Sequence, residues 1–258
     1  MTEPSSSHLV LIPSYNTGVK VYETVREARR QWNPVWVVVD GSSDETPVGL
    51  LEMAEADDGL KVWVIAQNSG KGAAVYFGLG MAISGGFSHV LTMDADGQHP
   101  AEKIPEFMEA SRKNPDSMVL GCPQFDSSAP LIRVRGRRIS NWWANFETLG
   151  GGIGDSLFGF RVYPAARLHR IMGGQRWMRR FDFDPEAVVR LRWRGVLPVN
   201  LPAPVKYFSS EEGGVSHFNY LRDNALLTFM HIRLVIGFLL RLPLLLLQRL
   251  RESRRLSG

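Results

Sequence analysis

Cysteine is nearly absent: Cys122 stands alone in 258 residues, so no disulfide can close within the chain. A cysteine-rich metal site is excluded on the same count, and a reducing cytosol suits the composition. The start is equally bare, because Met1–His8 is polar and serine-rich with no apolar signal region. A protein that is not exported is expected. Zinc-ligand spacing, a basic zipper and an aromatic RNA-binding signature are all missing, so nucleic acid is not an expected partner. The nucleotide-triphosphatase loop is missing too. Asn68-Ser69-Gly70-Lys71-Gly72 sets glycines and a lysine before a helix, but without the Gly-Lys-Ser/Thr spacing.

What the chain does have is apolar content of 44%, enough for one large α/β domain with an appendage. The formal charge of +4 is modest, and the arginines are clustered. Arg133, Arg135, Arg137 and Arg138 form one group, Arg176, Arg179 and Arg180 a second, and Arg249, Arg251, Arg254 and Arg255 a third. Such groups suit an anionic partner or simply a solvated face.

Short apolar runs alternate with helical patterns over the first hundred residues. Leu9–Ile12 reads as a buried strand ended by Pro13, Val19–Arg30 as a helix, and Val35–Val39 as a second strand. Asp40-Gly41-Ser42-Ser43-Asp44 turns into a helix over Glu45–Ala56, capped by Ser43 or Asp44. Leu60–Ala66 and Phe87–Met93 are further strands, separated by a small-residue helix over Ala73–Ser84. This alternation argues for a parallel sheet with right-handed crossovers. Ligands of such sheets collect at the carboxyl ends of the strands, where Pro13, Tyr15, Asn16, Asp40, Ser42 and Asp44 lie. Lys71, beside a helix N-terminus, is placed to balance a diphosphate.

Asp94-Ala95-Asp96-Gly97-Gln98-His99 ends the fourth strand. Two carboxylates two residues apart project to the same side of an extended chain and repel unless a cation sits between them. An all-oxygen pair suits Mg²⁺ or Mn²⁺, with Gln98 as a further ligand, and such ions keep positions open for phosphate oxygens. A plain Asp/Gly turn accounts for the same residues without a metal.

Taken together, these segments resemble the N-terminal half of family 2 glycosyltransferases, which have the GT-A fold. The match runs through Ile12–Asn16, Val39–Thr46, Asn68–Gly72 and Asp94–His99, in that order over ninety residues. The resemblance implies a Rossmann-like, mostly parallel sheet flanked by helices. It further implies that the first two motifs hold the nucleoside of a nucleotide-diphosphate sugar, while Asp94 and Asp96 hold the metal on its diphosphate.

Farther along, the chain is similar to polyprenyl-phosphate sugar transferases of the dolichol-phosphate mannosyltransferase type. Arg137, Arg138 and Ser140 match the basic stretch of that acceptor region, and Asp155 to Arg161 match its Asp…Gly-Phe-Arg segment, with Leu157-Phe158 replacing a Thr-Ser-like pair. Phe181–Glu186 corresponds to an acidic helix start near the acceptor, with Glu186 the nearer counterpart and Asp184 close enough to compete, and Ser216-His217 to a Gly-x-Ser-Lys segment with His for Lys. Lys71 and Arg161 are each equally readable as members of a structural ion pair.

Leu221–Leu247 is strongly apolar, but Arg233 and Arg241 interrupt it and Pro243 is expected to end a helix at residue 242. Two interfacial segments, with the terminal arginines at anionic headgroups, are the expectation. Burial on the domain or in a homo-oligomer contact is the alternative. The division expected is a catalytic domain over residues 1–220, with 8–125 the nucleotide-sugar half and 126–220 the acceptor half. Residues 221–258 form a membrane-associating tail that holds the enzyme peripherally at the cytoplasmic face of the cell membrane.

The expected reaction is metal-dependent, inverting transfer of a sugar to a lipid acceptor, with polyprenyl phosphate foremost. A hydroxyl acceptor would instead need a carboxylate base, from Asp184 or Glu186. A nucleotide-sugar pyrophosphorylase would want a Gly-rich basic loop after the first strand, which Pro13–Asn16 is not. A non-catalytic, membrane-docked sugar-nucleotide scaffold is the remaining rival.

Overall fold

The computed structural model describes residues 3–125, 131–205 and 220–256, so the Ser216–His217 segment lies outside the described residues. Strands and helices alternate as β1 (His8–Ser14), α1 (Lys20–Gln31), β2 (Val35–Asp40), α2 (Thr46–Glu55), β3 (Leu60–Ile65), α3 (Lys71–Ser84) and β4 (His89–Thr92). There follow α4 (Ile104–Lys113), β5 (Met118–Gln124), α5 (Leu131–Phe146), β6 (Arg161–Pro164), α6 (Ala165–Gly173), α7 (Phe183–Trp193), β7 (Pro198–Pro204) and α8 (Tyr220–Leu256).

The described strands form one sheet in the order β3-β2-β1-β4-β6-β5-β7. All pairings are parallel except those of β6, which runs antiparallel to both β4 and β5. Sheet order reverses between β1 and β4, and open α/β sheets form their ligand crevice at such a switch point.

Side-chain alternation divides the core between the two faces of the sheet. Leu9 and Leu11 of β1 pack with Val75 and Leu79 of α3, Leu168 of α6, Val188 of α7 and Leu234 of α8. Val10 and Ile12 pack with Val25 of α1, Leu50 of α2 and Phe107 of α4. Because both faces are covered, the central strands read as continuous apolar runs rather than alternating ones. β1 continues through Pro13 to Ser14, past the break that proline suggests. Likewise α3 begins at Lys71, ahead of the expected Ala73.

The tail differs more. Instead of two segments broken at Pro243, α8 is one helix of 37 residues with Pro243 inside it. Tertiary contacts outweigh the missing backbone donor. Met230, Leu234, Phe238 and Leu245 are buried along one side, so the helix is held on both sides of the proline. Polar contacts reinforce this docking: His231 Nδ1 lies 2.8 Å from Glu147 Oε1, and Arg192 Nη1 donates to Glu252 Oε1 at 2.9 Å. Arg249 Nη1 donates to the Leu149 carbonyl at 2.6 Å, tying part of the expected headgroup cluster to the domain instead.

Candidate active site

Four loops meet at the carboxyl ends of β1, β2, β3 and β4, and their own side chains stitch them together. Asn16 sits at φ 44° after β1, and its Oδ1 accepts the Ser43 backbone N–H at 2.7 Å. Its own N–H donates to Ser42 Oγ at 3.0 Å. The N-cap of α2 is Glu45, without a side-chain capping bond, in place of the expected Ser43 or Asp44. Asp44 instead ties the loop together, with Oδ1 accepting the Thr46 N–H at 3.3 Å and Oδ2 the Gly18 N–H at 3.2 Å. Asp40 is only 1% exposed and accepts the backbone N–H groups of Ser69, at 3.0 Å, and Gly70, at 2.6 Å. Its carboxylate therefore fixes the loop before α3 instead of lining the opening. Pro13 is buried in β1, while Tyr15 presents an exposed ring beside it.

Lys71 opens α3 and bridges two carboxylates. Its Nζ lies 2.7 Å from Asp94 Oδ1 and 2.7 Å from Asp184 Oδ2. Burial works against the ammonium, but Asp184 and Asp94 outweigh it and hold Lys71 above the ordinary lysine range. Asp94 is held below the usual carboxylate range, because Lys71 overcomes the cost of burial. Asp96 fares differently. Burial, reinforced by the negative charge of Asp94, pushes it up to about 6. Its Oδ1 accepts the Gln98 N–H at 3.0 Å, closing the turn that carries both carboxylates. The Gln98 side chain is half-buried at that turn.

His99 completes the turn from beneath. Burial pushes its imidazole down to about 4, although Asp94 pulls the other way, and the neutral ring accepts the Asp94 backbone N–H through Nδ1 at 2.9 Å. Phe158 and Phe160 pack edge-on against the ring, at 4.6 and 5.6 Å between centroids. Gly159 lies between these two phenylalanines. A Cβ there would come within 2.7 Å of Lys71 Nζ and 3.1 Å of Asp94 Oδ2, so only glycine lets the loop approach so closely.

The residues expected on the acceptor side surround the same loop. Asp155 accepts from Arg137 Nη1 at 2.6 Å and from the Leu157 and Phe158 backbone N–H groups at 2.9 and 2.7 Å. Ser140 and Ser156 hydroxyls lie 3.0 Å apart, and Arg138 is exposed on α5. Arg161 is fully buried. Its Nη1 donates to Tyr163 Oη at 3.0 Å and to the Asp184 carbonyl at 2.7 Å, so it braces the backbone below the site.

Asp184 and Glu186 part company. Asp184 reaches Lys71, and its Oδ1 is buried with no hydrogen-bond partner. Glu186, two residues on, is fully buried on the side of α8. It accepts from Arg190 Nε at 2.7 Å and from Arg233 at 3.1 and 2.9 Å. Sequence reading left a structural role open for both Lys71 and Arg161 but did not name Asp184 as the second partner of Lys71. Arg161 takes the structural role, through hydrogen bonds to Tyr163 and the Asp184 carbonyl.

Among the described residues no cluster of three or more His, Cys, Asp or Glu is arranged to enclose a metal. The donor set nonetheless fits a hard dication that leaves positions for diphosphate oxygens. It offers two carboxylates, and among the described residues Asp96 makes no ion pair, with burial and Asp94 outweighing the pull of Lys71 on its carboxyl.

A GT-A fold with this carboxylate turn at its switch point defines a glycosyltransferase. The chain belongs to glycosyl transferase family 2, whose model matches residues 9–181. It is 28% identical over 220 residues to the polyprenol monophosphomannose synthase of Mycolicibacterium smegmatis, covering 83% of this chain and 81% of that one. Over 168 residues it is 27% identical to an undecaprenyl-phosphate mannosyltransferase of Micrococcus luteus, covering 63% and 68% of the two chains. Among solved structures, glucosyl-3-phosphoglycerate synthase of Mycobacterium tuberculosis, in complex with Mn²⁺, uridine-diphosphate-glucose and phosphoglyceric acid, superposes with a TM-score of 0.62. The identity there is 12%, with coverage of 91% of this chain and 80% of that one. The scaffold and pyrophosphorylase readings give way to this family membership.

Proposed function

We propose that this glycosyltransferase moves a sugar from a nucleotide-diphosphate sugar to a lipid-borne acceptor, polyprenyl phosphate first among them, at the cytoplasmic surface of the cell membrane. One observation carries the reading: Asp94, Asp96, Lys71 and Asp184 converge at the switch point between β1 and β4. The polyprenol and undecaprenyl phosphate named for the relatives support the acceptor class.

In the reaction the bond from the sugar carbon to the diphosphate oxygen breaks, and an acceptor oxygen forms the new bond at that carbon. Pro13, Tyr15, Asn16 and Ser42 line the nucleoside end, with Asp40 and Asp44 fixing the loops that present them. Asp94 and Asp96, with Gln98 beside them, would hold Mg²⁺ or Mn²⁺, which when bound would supply charge neutralisation for the departing diphosphate. Lys71 at the α3 N-terminus adds a positive group on the same side. Arg137, Arg138 and Ser140, on α5 beside the loop that Asp155 organises, are assigned to the acceptor. A phosphate monoester is already ionised near neutrality, its second pKa being about 6, so no base is required. The unpartnered Asp184 Oδ1 favours a second reading, in which a hydroxyl acceptor donates to that oxygen as its proton leaves.

The C-terminal helix supports a membrane site. Arg222–Leu250 is long and apolar enough to cross a bilayer, and most of it is not buried. Its contacts with the domain extend from Leu227 to Glu252, an arrangement that suits a helix lying in the interface. Exposed Ile139 and Trp142 on α5 extend the apolar face, and Phe146 joins it to Phe238 of α8 with ring centroids 5.3 Å apart.

The test is a panel of labelled nucleotide sugars with Mn²⁺, offered with polyprenyl phosphate or with total membrane lipid. Label should enter the organic phase with polyprenyl phosphate and be lost in Asp96→Asn. Label entering only with total lipid would favour the hydroxyl acceptor, and none with either would defeat the lipid reading.

A further inference from the structure

A second charged site lies away from the reaction centre, between α6, the end of α7 and the middle of α8. Arg170, Gln175, Arg190, Trp193, Arg194 and Arg241 are among the residues lining a cavity of about 180 Å³. Basic residues at helix C-termini are ordinary partners of the helix dipole, which accounts for Arg170, Arg190 and Arg194. It does not account for Arg241, which interrupts the most apolar part of α8, far from either end.

Arg241 is held in place rather than splayed into solvent. Its guanidinium lies 5.0 Å from the Trp193 ring centroid, and its Nη1 donates to the Gly237 carbonyl at 3.0 Å. Gly237 makes this possible, since a Cβ there would stand 2.9 Å from the Trp193 ring. Arg190 approaches the same indole at 5.8 Å. Burial, with the like charges of Arg190 and Arg194, presses the Arg241 pKa below its ordinary value. Of the four arginines only Arg190 has a carboxylate, Glu186, which it shares with Arg233. Among the described residues, Arg170, Arg194 and Arg241 make no ion pair, so the cavity concentrates positive charge that no described carboxylate pairs with.

The surroundings indicate what offsets it. Ile236, Leu240 and Leu244 follow one another at four-residue spacing beside Arg241 and are 56%, 77% and 67% exposed. A bare anion would use the arginines and leave this stripe in water. A phosphodiester carrying acyl chains would use both. We infer that this cavity is a binding site for the phosphate headgroup of an anionic phospholipid, whose chains lie along the exposed leucines of α8. The inference rests on the reading of α8 as an interfacial helix and adds to it a specific lipid class and a specific pocket.

The test is cosedimentation of the full chain with vesicles of phosphatidylcholine, or of phosphatidylcholine with about a third phosphatidylglycerol. Wild type should bind the anionic vesicles at least about tenfold more tightly, and R194Q/R241Q should lose most of that difference while keeping its binding to phosphatidylcholine. R170Q/R194Q, which changes two exposed side chains and leaves the Trp193 stacking intact, should lose the same preference and guards against a folding defect. R254Q/R255Q, at the chain end, should lose less than either. Equal binding to both vesicle types, or an equal loss in R254Q/R255Q, would overturn the pocket but leave the interfacial helix standing. Failure to bind either vesicle would sink both. Full competition by millimolar inorganic phosphate would make it a site for the free anion and overturn the lipid.

Discussion

Lys71 and Asp94 are joined by an ion pair of 2.7 Å, so the first carboxylate of the Asp94-Ala95-Asp96 turn carries an internal counterion. Lys71 is equally close to Asp184, so one ammonium ties the turn after β4 to the start of α7.

Replacing Lys71 by methionine keeps the buried stem and removes the charge. Mn²⁺ affinity without donor should rise, about tenfold for each ~1.4 kcal/mol of competition relieved. Turnover should fall by about 10²–10³, the usual cost of losing one group that stabilises developing charge. Titration followed by electron paramagnetic resonance reads the first effect and initial rates the second. Unchanged Mn²⁺ binding would show that Lys71 and the metal do not compete.

The raised Asp96 gives metal binding a pH dependence. A carboxylate at about 6 holds a proton in mildly acid solution, and that proton must leave before the oxygen can ligate. Mn²⁺ binding should therefore weaken as pH falls through about 6, with a proton released on binding. Calorimetry in buffers of different ionisation enthalpy measures that proton. Affinity that stayed flat from about pH 5 to 7 would contradict the assignment of Asp96 as a ligand.

Gly159→Ala places a methyl group 2.7 Å from Lys71 Nζ and 3.1 Å from Asp94 Oδ2. The lysine tip can shift, so the fold should survive with a loss of about 1–3 kcal/mol. The ion pair cannot keep its geometry, and kcat should drop by at least about tenfold. Thermal melts and rates on the same preparation separate the two. A variant with wild-type turnover would show that the Lys71–Asp94 contact is dispensable.

Asp184 and Glu186 should separate cleanly under mutation. Asp184→Asn should lower turnover by about 10² or more while binding of the nucleoside diphosphate persists. Glu186→Gln should instead destabilise the protein by roughly 3 kcal/mol, because Arg190 and Arg233 lose a buried partner. Activity per folded molecule should remain. The reverse pattern would return the reaction role to Glu186.

The first four strands and the loops of the nucleotide side were legible in the sequence because their signals are local. Apolar runs end at Asp, Gly, Ser and Asn, and each turn residue satisfies a backbone group within its own loop or the next. Asp94 and Asp96 were legible for the same reason. What escaped depends on residues distant in sequence. Nothing near Lys71 announces Asp184, 113 positions on. Glu186 looks like a sibling of Asp184 until helical geometry turns it toward Arg233. Pro243 reads as a terminator, yet burial of Phe238 and Leu245 on either side carries the helix through it.

Helix α7 holds Asp184 at its start, and Arg190 and Trp193 at its end, within 11 residues. At about 1.5 Å per residue it is a rigid rod roughly 16 Å long. If its far end is moored to headgroups as proposed, it would work as a depth gauge, a fixed count of peptide units setting the height of Asp184 above the bilayer. Lengthening that rod by one turn would lift the chemistry about 5 Å away from its acceptor without altering a single ligand.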